Sequence, residues 1–112
     1  MTRILGKSKA LDMILFSKRV TAPEALEIGL IDKVSAPGEL MKDALELAGR
    51  LAERPPIAVS CVIKAITTGL YEGIDEGLRL EEEGVGIVAQ TEDAREGITA
   101  FLEKRKPEFK GK

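Results

Sequence analysis

The 112 residues suffice for one small packed domain, residues 1–112, because 44% of them are apolar and a core is feasible without metals or disulfides. Seventeen basic and nineteen acidic side chains leave a net charge of -2, which argues against a protein that works by wrapping nucleic acid or by adhering to an anionic membrane. Histidine is absent and Cys61 is the one cysteine, so an intramolecular disulfide, a zinc site and His-based acid/base catalysis are excluded within the chain.

Aromatic residues make up 4% of the chain and tryptophan is absent, so Leu, Ile, Val and Ala carry the apolar content, a composition that suits helices. No apolar run approaches the roughly 20 residues needed to span a bilayer. Met1 to Gly6 lacks the long apolar stretch of a signal peptide. The expectation is an intracellular, cytoplasmic protein.

Ala10, Leu11, Ile14 and Leu15 recur at helical spacing and predict a short helix from Lys7 to Leu15. Thr21, Ala22, Pro23 and Glu24 have the form of a capping box, with Pro23 in the first turn where its missing amide costs little. Gly29 supplies the left-handed residue that commonly ends a helix. Leu30 to Val34 reads as extended, closed by a turn at Pro37 and Gly38.

A longer helix is expected from Glu39 to Glu53, with Leu40, Ala44, Leu47, Ala48 and Leu51 on one face and a favourable Glu46–Arg50 pair on the other. Pro55 and Pro56 stop it, and Pro56 opens the next helix, whose stripe includes Ile57, Cys61, Ala65 and Leu70. Gly69 and Gly73 bracket the end of that stretch. A further helix from Ile74 to Ala89 is expected to bury Ile74, Leu78, Val85 and Val88, and close packing is needed to offset the cost of Gly84 and Gly86. Thr91 caps a last helix running to Lys104, with Ile98, Phe101 and Leu102 inward and Glu92 and Asp93 at the positive end of its dipole. Pro107 closes it and leaves a basic tail. The fold class is therefore all-α, with about five or six helices and at most one short strand.

Four stretches resemble the C-terminal part of the crotonase, or enoyl-CoA hydratase/isomerase, superfamily: GKSKALDMILFSKRVTAPEALEIGLIDKV (Gly6 to Val34), RPPIAVSCVIKAI (Arg54 to Ile66), EGLRLEEE (Glu76 to Glu83) and TEDAREGITAFLEKRKPEF (Thr91 to Phe109). The last is the most specific, and it is most similar to short-chain enoyl-CoA hydratases. The resemblance implies a helical region that mediates trimer formation and follows an N-terminal spiral of strand-strand-helix units. On this reading the chain lacks that spiral, together with the oxyanion-hole amides and the two catalytic glutamates.

Each candidate site has a plainer alternative. The cations Lys104, Arg105, Lys106, Lys110 and Lys112 could bind a phosphate-bearing anion, or simply cap a solvated helix end. The resemblance favours the first for two residues: Phe101 and Lys104 fall where related enzymes contact the adenosine and phosphate end of coenzyme A bound mainly by a neighbouring subunit. Glu81, Glu82 and Glu83 point about 100° apart on a helix and read as a solvated face, not an acid/base pair. Cys61 has no histidine partner and reads as a small core residue. Gly6, Lys7 and Ser8 mimic only the end of a phosphate loop.

The resemblance therefore implies that Phe101 and Lys104 make coenzyme A contacts in trans, with no catalytic residue and no metal or redox cofactor expected in the chain, coenzyme A entering as the substrate thioester. The implied parent reaction is hydration of a 2-enoyl-CoA to the 3-hydroxyacyl-CoA in acyl-CoA or fatty-acid metabolism, and the chain alone is expected to be inactive. The alternative is a stand-alone helical association module, a homo-oligomer or the complement of a separate N-terminal half. Nucleic-acid binding is disfavoured, since only Phe101 and Phe109 accompany the tail's cations.

Overall fold

A computed structural model describes residues 1–112, with six α-helices and no strand. No helix is long and apolar enough to cross a membrane. The chain divides into two compact units, Met1–Ala44 and Leu45–Lys112.

In the first unit, α1 (Thr2–Leu15) is interrupted at Gly6, whose φ of 78° and ψ of 165° are not helical. The helix expected from Lys7 is the part after this break, and one further turn precedes it. Ala10 is buried on it. The capping box forms at α2 (Ala22–Glu27): the Glu24 carboxylate accepts from the Thr21 amide at 2.8 Å, and the Glu24 amide donates to the Thr21 hydroxyl oxygen. That hydrogen bond to the Thr21 backbone holds the Glu24 carboxyl below its ordinary pKa.

Gly29 ends α2 in the left-handed region at φ 75°. This conformation lets the Gly29 amide reach the Leu26 carbonyl at 3.1 Å and the Leu30 amide reach that of Ala25 at 2.8 Å, which satisfies two carbonyls the helix would leave open. Leu30 to Val34, expected to be extended, forms no strand, because a strand needs a ladder partner and the chain contains none. The expected turn follows, with Gly38 at φ 85° and the Glu39 amide donating to the Ala36 carbonyl at 3.0 Å.

The unit boundary falls within α3 (Leu40–Ala52). None of its residues is buried, so the expected apolar face of Leu40, Leu47 and Leu51 lies open. Glu46 and Arg50 do not form the expected ion pair; the one salt bridge to α3's acidic first turn runs from Lys33 to Asp43 at 3.1 Å.

The second unit is organised by a helical hairpin. Pro56 stands at the first position of α4 (Pro56–Glu72), and Gly73, at φ 121°, separates it from α5 (Ile74–Ala89). The helices approach through small residues. A Cβ built on Gly77 would lie 2.8 Å from the Gly69 Cα, and one on Gly84 would lie 3.1 Å from the Cys61 Cβ.

The inward face of α5 differs from the one expected. Its buried residues are Gly77, Leu80 and Gly84, while Ile74, Leu78 and Val85 are exposed. Backbones can come this close only where side chains are absent, so the glycines, not the large apolar residues, turn toward α4. Gly84 has the packing partner expected of it; Gly86 has open space around it.

The last helix, α6 (Glu92–Leu102), is capped by Thr91, whose hydroxyl accepts from the Ala94 amide at 3.0 Å and donates to the Val88 carbonyl at 2.7 Å. Its inward residues are Asp93 and Ala100, whereas Ile98, Phe101 and Leu102, expected inward, are exposed. The helix stops at Leu102, short of Lys104, because Lys104 takes a left-handed φ of 55°.

Two glycine substitutions on α5 test the close approach. Gly77→Ala should destabilise the chain by about 1–3 kcal/mol through overpacking, whereas Gly86→Ala, with nothing near its added methyl, should stabilise it by up to about 1 kcal/mol. Chemical denaturation of the two variants should show opposite shifts; equal shifts would contradict the glycine contact.

Candidate functional site

The chemistry-bearing groups lie along α6 and on the tail that folds back along it. Local sequence sets the first half of this arrangement. The Thr91 cap starts α6 so that Asp93 and Glu96 stand three residues apart, on neighbouring turns of one face. At the other end the Lys104 amide donates to the Phe101 carbonyl at 3.3 Å and the Arg105 amide to that of Ala100 at 3.0 Å, the hydrogen-bond pair that closes a helix through a left-handed residue.

The tail is not a free basic segment, as the sequence suggested, but is tied to α6 by carboxylates. Glu96 takes the Arg105 guanidinium as a two-pronged pair, with Nη1 donating to Oε1 at 2.6 Å and Nη2 to Oε2 at 2.8 Å. The Glu108 amide donates to the same Oε1 at 2.8 Å. Asp93, 4% exposed, accepts the amides of Lys110 and Gly111 on its two oxygens at 2.6 and 2.8 Å. Its own amide donates to the Lys112 carbonyl at 3.1 Å. A buried carboxylate requires such partners, and here backbone donors supply them.

Apolar contact completes the fold-back. A Cβ on Gly97 would lie 3.6 Å from the Phe109 ring, so the missing side chain makes room for the aromatic. Nearby, Leu51, Val59, Ile63 and Phe109 line an open groove of about 910 Å³, with Lys64 and Lys110 also at its walls.

The electrostatics follow the pairing. Hydrogen bonds from the Arg105 side chain, then from the Glu108 amide, pull the Glu96 carboxyl down to about 2 from an ordinary 4.5. The same pairing with Glu96, and then Glu103, raises the Arg105 guanidinium. Lys106 pairs with Glu53 at 2.9 Å.

Phe101 and Lys104, the two residues singled out in the sequence, stand at the same helix end. Phe101 is 82% exposed, Lys104 is exposed, and the Lys104 side chain takes part in no ion pair. Glu83 is bound by Arg79 at 3.1 Å on an exposed face, and Cys61 packs against Gly84.

Sequence reasoning missed Glu96 altogether and read Asp93 only as a partner of the helix dipole. Their partners lie between nine and eighteen residues downstream, and three of those partners are backbone amides, which leave no trace in residue type.

The fold-back makes stability depend on acid. Because the Glu96 pKa is depressed in the folded chain, its contribution is complete above about 4.5 and is lost as pH falls toward about 2. Denaturation midpoints followed over that range should fall more steeply for the wild type than for Glu96→Gln. Parallel curves would show that the Glu96 carboxylate is not held as described. Separately, Thr91→Ala should cost about 1 kcal/mol, with a ceiling near about 2, in the same assay.

All 112 positions, residues 1–112, match the family model described as enoyl-CoA hydratase/isomerase. The short-chain-enoyl-CoA hydratase of Clostridium acetobutylicum is 40% identical over 108 residues, which cover 96% of this chain and 41% of that protein. Among solved structures, an enoyl-CoA hydratase from Geobacillus kaustophilus HTA426 superposes with a TM-score of 0.90 at 40% identity, covering 99% of this chain and 42% of the other. The enoyl-CoA hydratase from Bacillus anthracis gives the same TM-score of 0.90 at 36% identity, covering 99% and 43%. This chain thus spans less than half the length of the relatives it matches. The match runs the length of the chain, and the chain is a member of the enoyl-CoA hydratase/isomerase family.

Proposed function

We propose that this chain serves the hydration of a 2-enoyl-CoA thioester to the 3-hydroxyacyl-CoA, contributing contacts to the outer end of coenzyme A and surfaces for association. Hydration needs amide donors aimed at the thioester oxygen to hold enolate charge, and carboxylates beside the double bond to handle water. The residue-level reading gives none of those tasks to residues 1–112. The family resemblance gives them recognition of the adenosine and phosphate end, with Phe101 and Lys104 reaching a coenzyme A held mainly by a neighbouring subunit.

The observation that carries the proposal is the pairing of an open aromatic ring with an ammonium at one helix end, a combination suited to a purine and a phosphate. Its setting in a family whose similar members include a short-chain-enoyl-CoA hydratase supports the choice of ligand.

A second part of the reading concerns association. Leu40, Leu47 and Leu51 on α3 are exposed, and apolar faces of this kind tend to be covered by another surface. Homo-oligomerisation, or union with a complementary partner, would cover them.

Two measurements test these statements. Coenzyme A added to the chain should bind only weakly, with Kd of about 1 mM or higher, and should perturb Phe101 and Lys104. Binding near about 1 μM would mean that these residues hold a complete site, and perturbation elsewhere only would dismiss the two contacts. Crotonyl-CoA should not be turned over by the purified chain, and light scattering should find it associated; sustained hydration or a strict monomer would each reverse the corresponding part.

A further inference from the structure

We propose that Glu96 is a positioning residue whose grip on Arg105 fixes the turn that carries Lys104, and so sets the direction in which the Lys104 ammonium meets a phosphate. The inference rests on the reading of Lys104 as a contact to coenzyme A, and it adds a residue that does not touch the ligand.

Lys104 has a positive φ of 55°, a region that side-chain-bearing residues occupy sparsely and that persists where the surroundings over-determine it. On the helix side it is fixed by the Lys104 and Arg105 amides donating to the Phe101 and Ala100 carbonyls. On the tail side it is fixed by Arg105, which reaches back to occupy both oxygens of Glu96. The Glu108 amide, donating to Oε1 of the same carboxylate, draws in the chain beyond the turn.

Charge then selects the residue. Arg105 is taken up by Glu96 and Glu103, and Lys106 by Glu53. Within the run Lys104–Lys106, Lys104 alone keeps its ammonium out of an ion pair. The two-pronged geometry matters because an arginine held at both oxygens of a carboxylate is fixed in direction as well as in place. The carboxylate therefore removes one cation from competition for an anion and aims the next.

The test is a titration of the isotopically labelled 112-residue chain with coenzyme A and, separately, with adenosine, followed by amide chemical shifts. In the wild type coenzyme A should move Lys104 and Phe101, and adenosine should move Phe101 only. Glu96→Gln and Arg105→Gln, which break the same contact from opposite sides, should each reduce the coenzyme A shift at Lys104 about fivefold, the scale of one exposed charged contact. The Phe101 response to adenosine should survive in both.

Thr91→Ala loosens the start of α6 without touching Glu96 and should leave the Lys104 response intact, which separates aiming from general stability. An unchanged Lys104 shift in both Gln variants would overturn the positioning role and leave the contact standing. No Lys104 shift in the wild type would remove the contact and the positioning role together. A loss in Thr91→Ala equal to that in Glu96→Gln would reduce Glu96 to ordinary stabilisation.

Discussion

Two carboxylates on neighbouring turns of one helix hold the last eight residues of this chain. Asp93 gathers the amides of Lys110 and Gly111, and Glu96 takes Arg105 with the amide of Glu108. Burying Asp93 would be costly if its oxygens lacked donors, and two successive amides converge on it at Lys110 and Gly111, the latter with a left-handed φ of 75°. The same glycine passes so near Pro56 that a Cβ there would stand 2.9 Å from the ring. The tail is thus bound to α6 by charge and fitted against the start of α4 by the absence of a side chain. From this follow the ordered Phe109 ring beside Gly97 and the fixed turn at Lys104.

The α4–α5 hairpin uses a related economy. With glycine facing glycine at positions 69 and 77, and glycine facing cysteine at 84 and 61, the two helices approach closely while burying few large side chains. Leu80, 6% exposed, is the one large apolar residue buried in this unit. Large residues such as Ile66, Leu70, Ile74 and Leu78 are left facing outward. Small residues therefore settle the internal contacts, and large ones remain available for contacts with other surfaces.

That division explains what could be read in the sequence. The Thr21–Glu24 capping box, the Gly29 and Gly38 turns, Pro56 at a helix start and the Thr91 cap were all legible, because each is decided by residues within a few positions of one another. The inward faces of α5 and α6 were not. Apolar periodicity marks which side of a helix avoids water, but it cannot say which surface will cover it; Ile98, Phe101 and Leu102 keep the spacing and stand exposed. The tail's fold-back was illegible for another reason: its donors are mostly backbone amides, which every residue type but proline carries. Of the candidate site, the family motif proposed Phe101 and Lys104, while the carboxylate that stabilises their turn emerged only from three-dimensional geometry.

The chain belongs to the enoyl-CoA hydratase/isomerase family. The proposed contacts of Phe101 and Lys104 to coenzyme A depend on a held turn, since a mobile lysine would meet a phosphate in many orientations and lose more entropy in binding it. Retention of the tail by Asp93 and Glu96 is the central claim, and amide hydrogen exchange at Glu108, Lys110 and Gly111 measures it most directly. The account predicts protection comparable to that of amides inside α6. Exchange at the rate of an unstructured peptide at all three would show that the carboxylates do not hold the tail.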